Sequence, residues 1–133
     1  MTHTLTVSDY MTASPHTVGR SQPLRTARQM MQKLHVRHLP VLDGGKLVGM
    51  LSDRELGAVE SLPGADLLRV EEAMSPTTYM VAPEAPLAEV AREMSEIKVG
   101  SAVVMRGAAV LGVFTAVDAL RALSEALQSP AFR

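Results

Sequence analysis

The chain has 133 residues, room for one compact domain or two small repeats, and no cysteine, which excludes disulfides, thiolate metal sites and a cysteine nucleophile. Thirteen basic and fourteen acidic residues leave a formal charge of −1, so no general attraction to nucleic acid or to an anionic membrane follows. Two Tyr, two Phe, no Trp and nine Met imply a soft aliphatic core and argue against a stacking platform for bases.

The opening residues Met1-Thr2-His3-Thr4 carry no basic region leading into an apolar run, so no secretory leader is expected. No apolar stretch approaches the roughly 20 residues of a membrane span. A cytoplasmic protein is the expectation. A short first segment ends at Val18, predicted to be buried. Pro23 then starts a helix, where its missing N–H costs nothing, with Ser21 as a first-turn partner. Leu24, Ala27, Met31 and Leu34 recur at helical spacing. Residues 38–42 and 47–51 read as strands joined by the turn Asp43-Gly44-Gly45, whose glycines supply positive φ. Ser52 is the expected N-cap of a second helix, and Ser61-Leu62-Pro63-Gly64 interrupts the chain.

The second half repeats this order. Val81, predicted to be buried like Val18, closes its first segment, and Pro86, with Glu84 before it, starts a helix whose inner face is Leu87, Val90, Ala91, Met94 and Ile97. Strands at 101–105 and 110–114 flank Arg106-Gly107, and Thr115 caps a last helix running through Leu120, Leu123 and Leu127. A shift of 63 positions, the distance from Met11 to Met74, aligns the halves without a gap. Val7 falls on Val70, Pro23 on Pro86, Met31 on Met94, Val41 on Val104, Gly44 on Gly107 and Gly49 on Gly112. Conservative matches include Ser52 with Thr115 and Glu55 with Asp118.

Each copy therefore reads as strand, helix, strand, strand, helix. About 50 residues of that kind bury too little surface alone, so two copies are expected to pack together, sheet to sheet. The predicted fold is α/β (α+β), two β-α-β-β-α repeats related by a pseudo-two-fold axis. The boundaries read as 1–60 for the first repeat, 61–69 for a linker and 70–133 for the second repeat with its C-terminal helix.

Three signatures occur here and resemble the cystathionine-beta-synthase (CBS) domain family over most of the chain. They are Val7-x-x-x-Met11-Thr12 with its copy Val70-x-x-x-Met74-Ser75, the run His35-Val36-Arg37-His38-Leu39-Pro40-Val41-Leu42-Asp43, and Gly49-Met50-Leu51-Ser52-Asp53-Arg54-Glu55 with its copy from Gly112 to Asp118. The resemblance implies a regulatory module that binds an adenosine-containing ligand (AMP, ADP, ATP or S-adenosylmethionine) in clefts between the repeats and signals to a partner protein. It also implies a homodimer. Carried over by position, Thr115 and Asp118 would serve one cleft, with His16, Thr17, Val36 and Arg37 facing them. Ser52 and Glu55 would serve the other, with Tyr79, Met80, Val99 and Gly100 opposite. Arg37 is the first cation for a phosphate, with His38 and Arg121 behind it. Two positions depart from the family pattern: Glu55 stands where Asp is usual, and the stretch Ser101-Ala102-Val103-Val104 lacks the Leu-Pro pair seen at Leu39-Pro40.

The chemistry of those residue types suits such a ligand. A carboxylate accepts two charge-assisted hydrogen bonds from a cis-diol. A Ser or Thr at a helix start offers a hydroxyl beside free backbone N–H groups, and an acid three residues on lies on the same side. The plainer reading is that Ser52 and Thr115 are only caps and that Asp118 is a solvated first-turn acid. If Asp118 serves only a ligand, Asp118→Ala would remove the ligand response and leave the ligand-free melting point nearly unchanged. The extra methylene of Glu55 reaches about 1.5 Å further than Asp, which weakens its case as a ribose ligand. His35 and His38 lie three apart with no third ligand nearby, so no metal site is expected. Gly44-Gly45-Lys46 lacks the leading glycine and trailing Ser/Thr of a phosphate loop, and no catalytic motif appears. The sequence thus reads as a binding module and not as an enzyme, with a ligand-free dimerisation module as the alternative. A nucleic-acid role would have to rest on a local basic face such as Arg20, Arg25, Arg28 and Lys33.

Overall fold

The computed structural model describes residues 4–13, 16–76 and 78–132; Met1-Thr2-His3, part of the stretch in which no leader was found, lies outside them. After a single turn at Val7–Asp9 come β1 (Thr12–Ala13), β2 (Val18–Gly19), α1 (Leu24–Leu34), β3 (His38–Asp43), β4 (Lys46–Ser52) and α2 (Asp53–Glu60). A turn at Ala65–Leu67 leads to α3 (Val70–Ala73), β5 (Met80–Val81), α4 (Leu87–Ile97), β6 (Ser101–Arg106), β7 (Ala109–Thr115) and α5 (Ala116–Leu127). The fold is mixed α/β and duplicated. β3 and β6 share one order of buried and exposed positions, and so do β4 and β7. Among the described residues no helix is long and apolar enough to cross a membrane.

The chain forms two compact units that do not follow the sequence repeats. One is Met1–Ser14 with Tyr79–Arg133, and the other is Pro15–Thr78. In the unit Pro15–Thr78, β2 runs parallel to β3, and β3 pairs antiparallel with β4. Ser75 bridges Met50 on the far side of β4. Its core is Val18, Leu24, Ala27, Met31, Leu39, Val41, Leu51, Leu56 and Val70. Val70, which opens the second repeat, is thus buried in this unit. The other unit has a four-stranded sheet in the order β1-β7-β6-β5. There β1, from the opening of the first repeat, pairs antiparallel with β7. Val7, Leu87, Val90, Met94, Ala102, Val104 and Phe114 form its core.

The hairpin turns place Gly44, Gly45 and Gly107 at positive φ, as their sequence demands. Two expectations for the helix starts need correction. Pro23 and Pro86 each occupy the N-cap position without any side-chain cap, so Ser21 and Glu84 do not serve there. Gln22 instead folds back to accept the Gly19 N–H (2.7 Å), and Glu84 pairs with Arg106. Val81, expected to be buried, is only partly so, and Ile97, expected on the inner face of its helix, is exposed. It is the last residue of α4, and the chain turns there through Lys98 in the left-handed region (φ 60°). His35 ends α1 in the same way (φ 55°).

Candidate functional site

β4 ends at Ser52 and β7 at Thr115, and each of these residues starts a helix with its own backbone extended. The Thr115 N–H and hydroxyl both donate to Asp118 Oδ2 (2.9 and 3.1 Å), and the Asp118 N–H donates back to Thr115 Oγ1 (3.3 Å). Ser52 and Glu55 build the same closed box: the Ser52 N–H and hydroxyl donate to Glu55 Oε1 (2.9 and 3.1 Å), and the Glu55 N–H donates to Ser52 Oγ (3.1 Å). The extra methylene of Glu55 is taken up by curling back. Its carboxylate is held no less closely than that of Asp118, which removes reach as the distinction between the two positions. Both acids satisfy helix N–H groups that otherwise lack partners.

The two carboxylates differ in burial. Asp118 is the only charged or polar residue counted as buried among the described residues, 9% exposed, whereas Glu55 is half-exposed. An Asp118→Ala change therefore strips a buried cap and cannot be silent in the ligand-free protein, contrary to the sequence expectation.

Each helix start is also tied to the helix-to-strand junction of its own repeat. The Asp53 N–H donates to the Arg37 carbonyl (2.8 Å), and the Ala116 N–H donates to the Gly100 carbonyl (2.9 Å). Within the unit Pro15–Thr78 this sets Arg37 beside Ser52 and Glu55. Within the other unit it sets Gly100 beside Thr115 and Asp118. Val36 packs against the first core and Val99 against the second. Arg37 is exposed and His38 half-buried. Their positive field helps hold the Asp53 carboxyl below the usual carboxylate range, although the main cause is the hydrogen bond from Arg28. His16 and Thr17 lead into β2, and Met80 lies exposed on β5.

Tyr79 is committed elsewhere: its ring packs on the second core and its hydroxyl donates to Glu93. Burial, reinforced by that carboxylate, pushes its phenol up to about 12. Both residue sets named from the sequence draw on the two compact units: Thr115 and Asp118 lie in one, and His16, Thr17, Val36 and Arg37 in the other. The same holds for Ser52 and Glu55 against Tyr79, Met80, Val99 and Gly100. Among the described residues no group of three or more His, Asp or Glu side chains comes together to hold a metal ion.

A further constellation escaped the sequence reading. Arg121 Nη2 donates to the Tyr10 carbonyl (3.1 Å) and to Asp118 Oδ1 (3.4 Å), and its guanidinium lies over the Tyr10 ring at 4.9 Å. The Tyr10 hydroxyl donates to Glu125 (2.8 Å). Tyr10 and Arg121 stand 111 positions apart, and no periodicity joins them.

A family model for the CBS domain matches the chain twice, at residues 7–57 and 70–125. YhcV of Bacillus subtilis (strain 168), a CBS domain-containing protein, is 31% identical over 91 residues, which is 68% of this chain and 65% of that protein. The match thus spans slightly less than two thirds of the relative's length. Among solved structures, AcuB of Vibrio cholerae is 32% identical with a TM-score of 0.81, covering 95% of both chains. CBSX2 of Arabidopsis thaliana, solved in complex with AMP, is 27% identical with a TM-score of 0.77, covering 90% of this chain and 97% of its own.

Proposed function

This chain belongs to the CBS-domain family, and from that premise we propose that it is a regulatory module whose ligand is an adenosine-containing molecule held at Thr115 and Asp118. The observation that carries the reading is the state of Asp118. It is a buried carboxylate with one oxygen locked to the helix start, while the other meets only a long contact from Arg121 among the described residues. A fixed acid of that kind suits a ribose hydroxyl, because its orientation is set before the ligand arrives. The complex of CBSX2 with AMP supports the class of ligand.

Ser52 and Glu55 form a second candidate, since their box matches the first. Arg37 and His38 supply positive charge for a phosphate. His16, Thr17, Val36, Met80, Val99, Gly100 and Tyr79, the last through its backbone, remain the candidates for contacts to the base. The ligand acts through its different affinity for two states of the module, which a partner protein would read. We further propose a homodimer, because α5 exposes Val117, Leu120, Leu123 and Leu127 along one stripe. The absence of cysteine suits a reducing cytoplasm.

The test is a thermal-shift titration with AMP, ATP and S-adenosylmethionine. A ligand at 100 times its dissociation constant should stabilise the fold by about 2.7 kcal/mol. Asp118→Asn, which can keep an oxygen for the cap, should abolish the shift. Absence of any shift at millimolar ligand would instead favour a ligand-free dimerisation module, which sedimentation would still report as a dimer.

A further inference from the structure

Oxygen by oxygen, Asp118 has little capacity to spare. A carboxylate offers about four acceptor positions, two on each oxygen. Oδ2 already takes both the N–H and the hydroxyl of Thr115. Oδ1 takes Arg121, at the long distance of 3.4 Å. A cis-diol brings two donors, so it fills Oδ1 only if Arg121 leaves, whereas a single hydroxyl fits beside it.

Arg121 is not a free side chain waiting to leave. It holds the Tyr10 carbonyl and lies on the Tyr10 ring, and Glu125 receives the Tyr10 hydroxyl. Tyr10 belongs to the opening segment that places Val7 in the core and adds β1 to the edge of β7. The second copy of the motif lacks this arrangement. By the 63-position register, Ala58 stands for Arg121, Ala73 for Tyr10 and Leu62 for Glu125. Glu55 is therefore capped like Asp118 and has no corresponding arginine.

We propose that Arg121 is a positioning residue that competes with a ribose diol for Asp118 Oδ1 and ties occupation of that acid to the seating of residues 6–13. The proposal rests on the ligand reading above for its competition and on the ligand-free contacts for its anchoring, and the two are read out separately.

The experiment compares the intact chain with its Arg121→Gln variant. AMP and 2′-deoxy-AMP are titrated by calorimetry, and amide exchange is followed over residues 6–13. The ratio of the two affinities cancels any effect of the lost charge on the phosphate. Losing a partly exposed competitor should raise the preference for AMP over 2′-deoxy-AMP about two- to fivefold. A merely structural role for Arg121 would not move that ratio. In the ligand-free protein the variant should exchange faster at the amides of Val7 and Met11, which donate to Ala85 and Val7. AMP should speed the same amides in the intact chain and leave them unaltered in the variant. AMP binding with an unchanged or lowered ratio overturns the competition, and unchanged ligand-free exchange overturns the anchoring. Failure of AMP to bind the intact chain overturns the competition, and failure of ATP and S-adenosylmethionine as well overturns the ligand reading with it.

Discussion

At Gly112 the opening segment passes so close to β7 that a side chain has no room. A Cβ there would lie 2.7 Å from the Thr12 carbonyl oxygen and 2.6 Å from Met11 Sδ. Gly49 meets the same obstacle in its own unit, with the Ser75 carbonyl oxygen at 2.5 Å and Met74 Sδ at 2.8 Å. A methionine could swing aside, but a backbone carbonyl paired in a sheet cannot. Gly112→Ala and Gly49→Ala should each destabilise the fold by about 1–3 kcal/mol, the range for overpacking a close contact. Gly100→Ala is the control, because nothing lies within 4 Å of its Cβ position and its φ is ordinary. Urea midpoints of the three variants make the comparison, and equal midpoints would mean that the opening segments move aside freely. The matched glycines were legible in the sequence as part of a motif. Their cause was not, since the atoms that require Gly112 come from a segment 100 positions earlier.

The hairpin strands, the hairpin glycines and the Ser52 and Thr115 caps were readable because each is a local signal: a short apolar run bounded by turns, positive φ, or a hydroxyl at a helix start. Side-chain partners between helices were not. Arg28 on α1 donates to Asp53 (2.6 Å) and grips Glu60 through two nitrogens (2.7 and 3.1 Å), tying α1 to α2. The equivalent positions of the other repeat are Ala91, Ala116 and Leu123, so this tie is particular to one unit. Arg28 is the main cause that holds the Asp53 carboxyl below its ordinary range. A depressed folded-state pKa means that the contribution is complete above the unfolded value and is lost as pH falls through the folded one. Arg28→Met, which keeps the aliphatic stem, should therefore cost stability at pH 7 and progressively less below about pH 4. The Asp53 side chain is 47% exposed. Solvent screening limits the neutral-pH difference to no more than about 1 kcal/mol. Urea midpoints of both chains at pH 7 and pH 3 test this; a difference that persists at acid pH would show that the ion pairs do not carry the effect.

Sequence similarity shows that a unit is duplicated, but it is blind to which copy each segment packs against. Val7 and Val70 align in the 63-position register, and both are fully buried. Yet Val7 belongs to the core of Leu87, Val104 and Phe114, while Val70 belongs to the core of Leu24, Val41 and Leu51. The exchange has a consequence that the boundaries 1–60 and 70–133 would not anticipate. Val7→Ala and Val70→Ala should each remove roughly 1.5–3 kcal/mol of burial, because the lost methyls are identical. Their local effects should be crossed. Val7→Ala should speed amide exchange in β6, β7 and α4 and leave α1, β3 and β4 near their original protection. Val70→Ala should do the reverse, because sub-global opening follows packed units and not stretches of sequence. Exchange followed residue by residue decides it. Loosening confined to residues 15–60 on changing Val7 would mean that the compact units of the native chain are the sequence repeats after all.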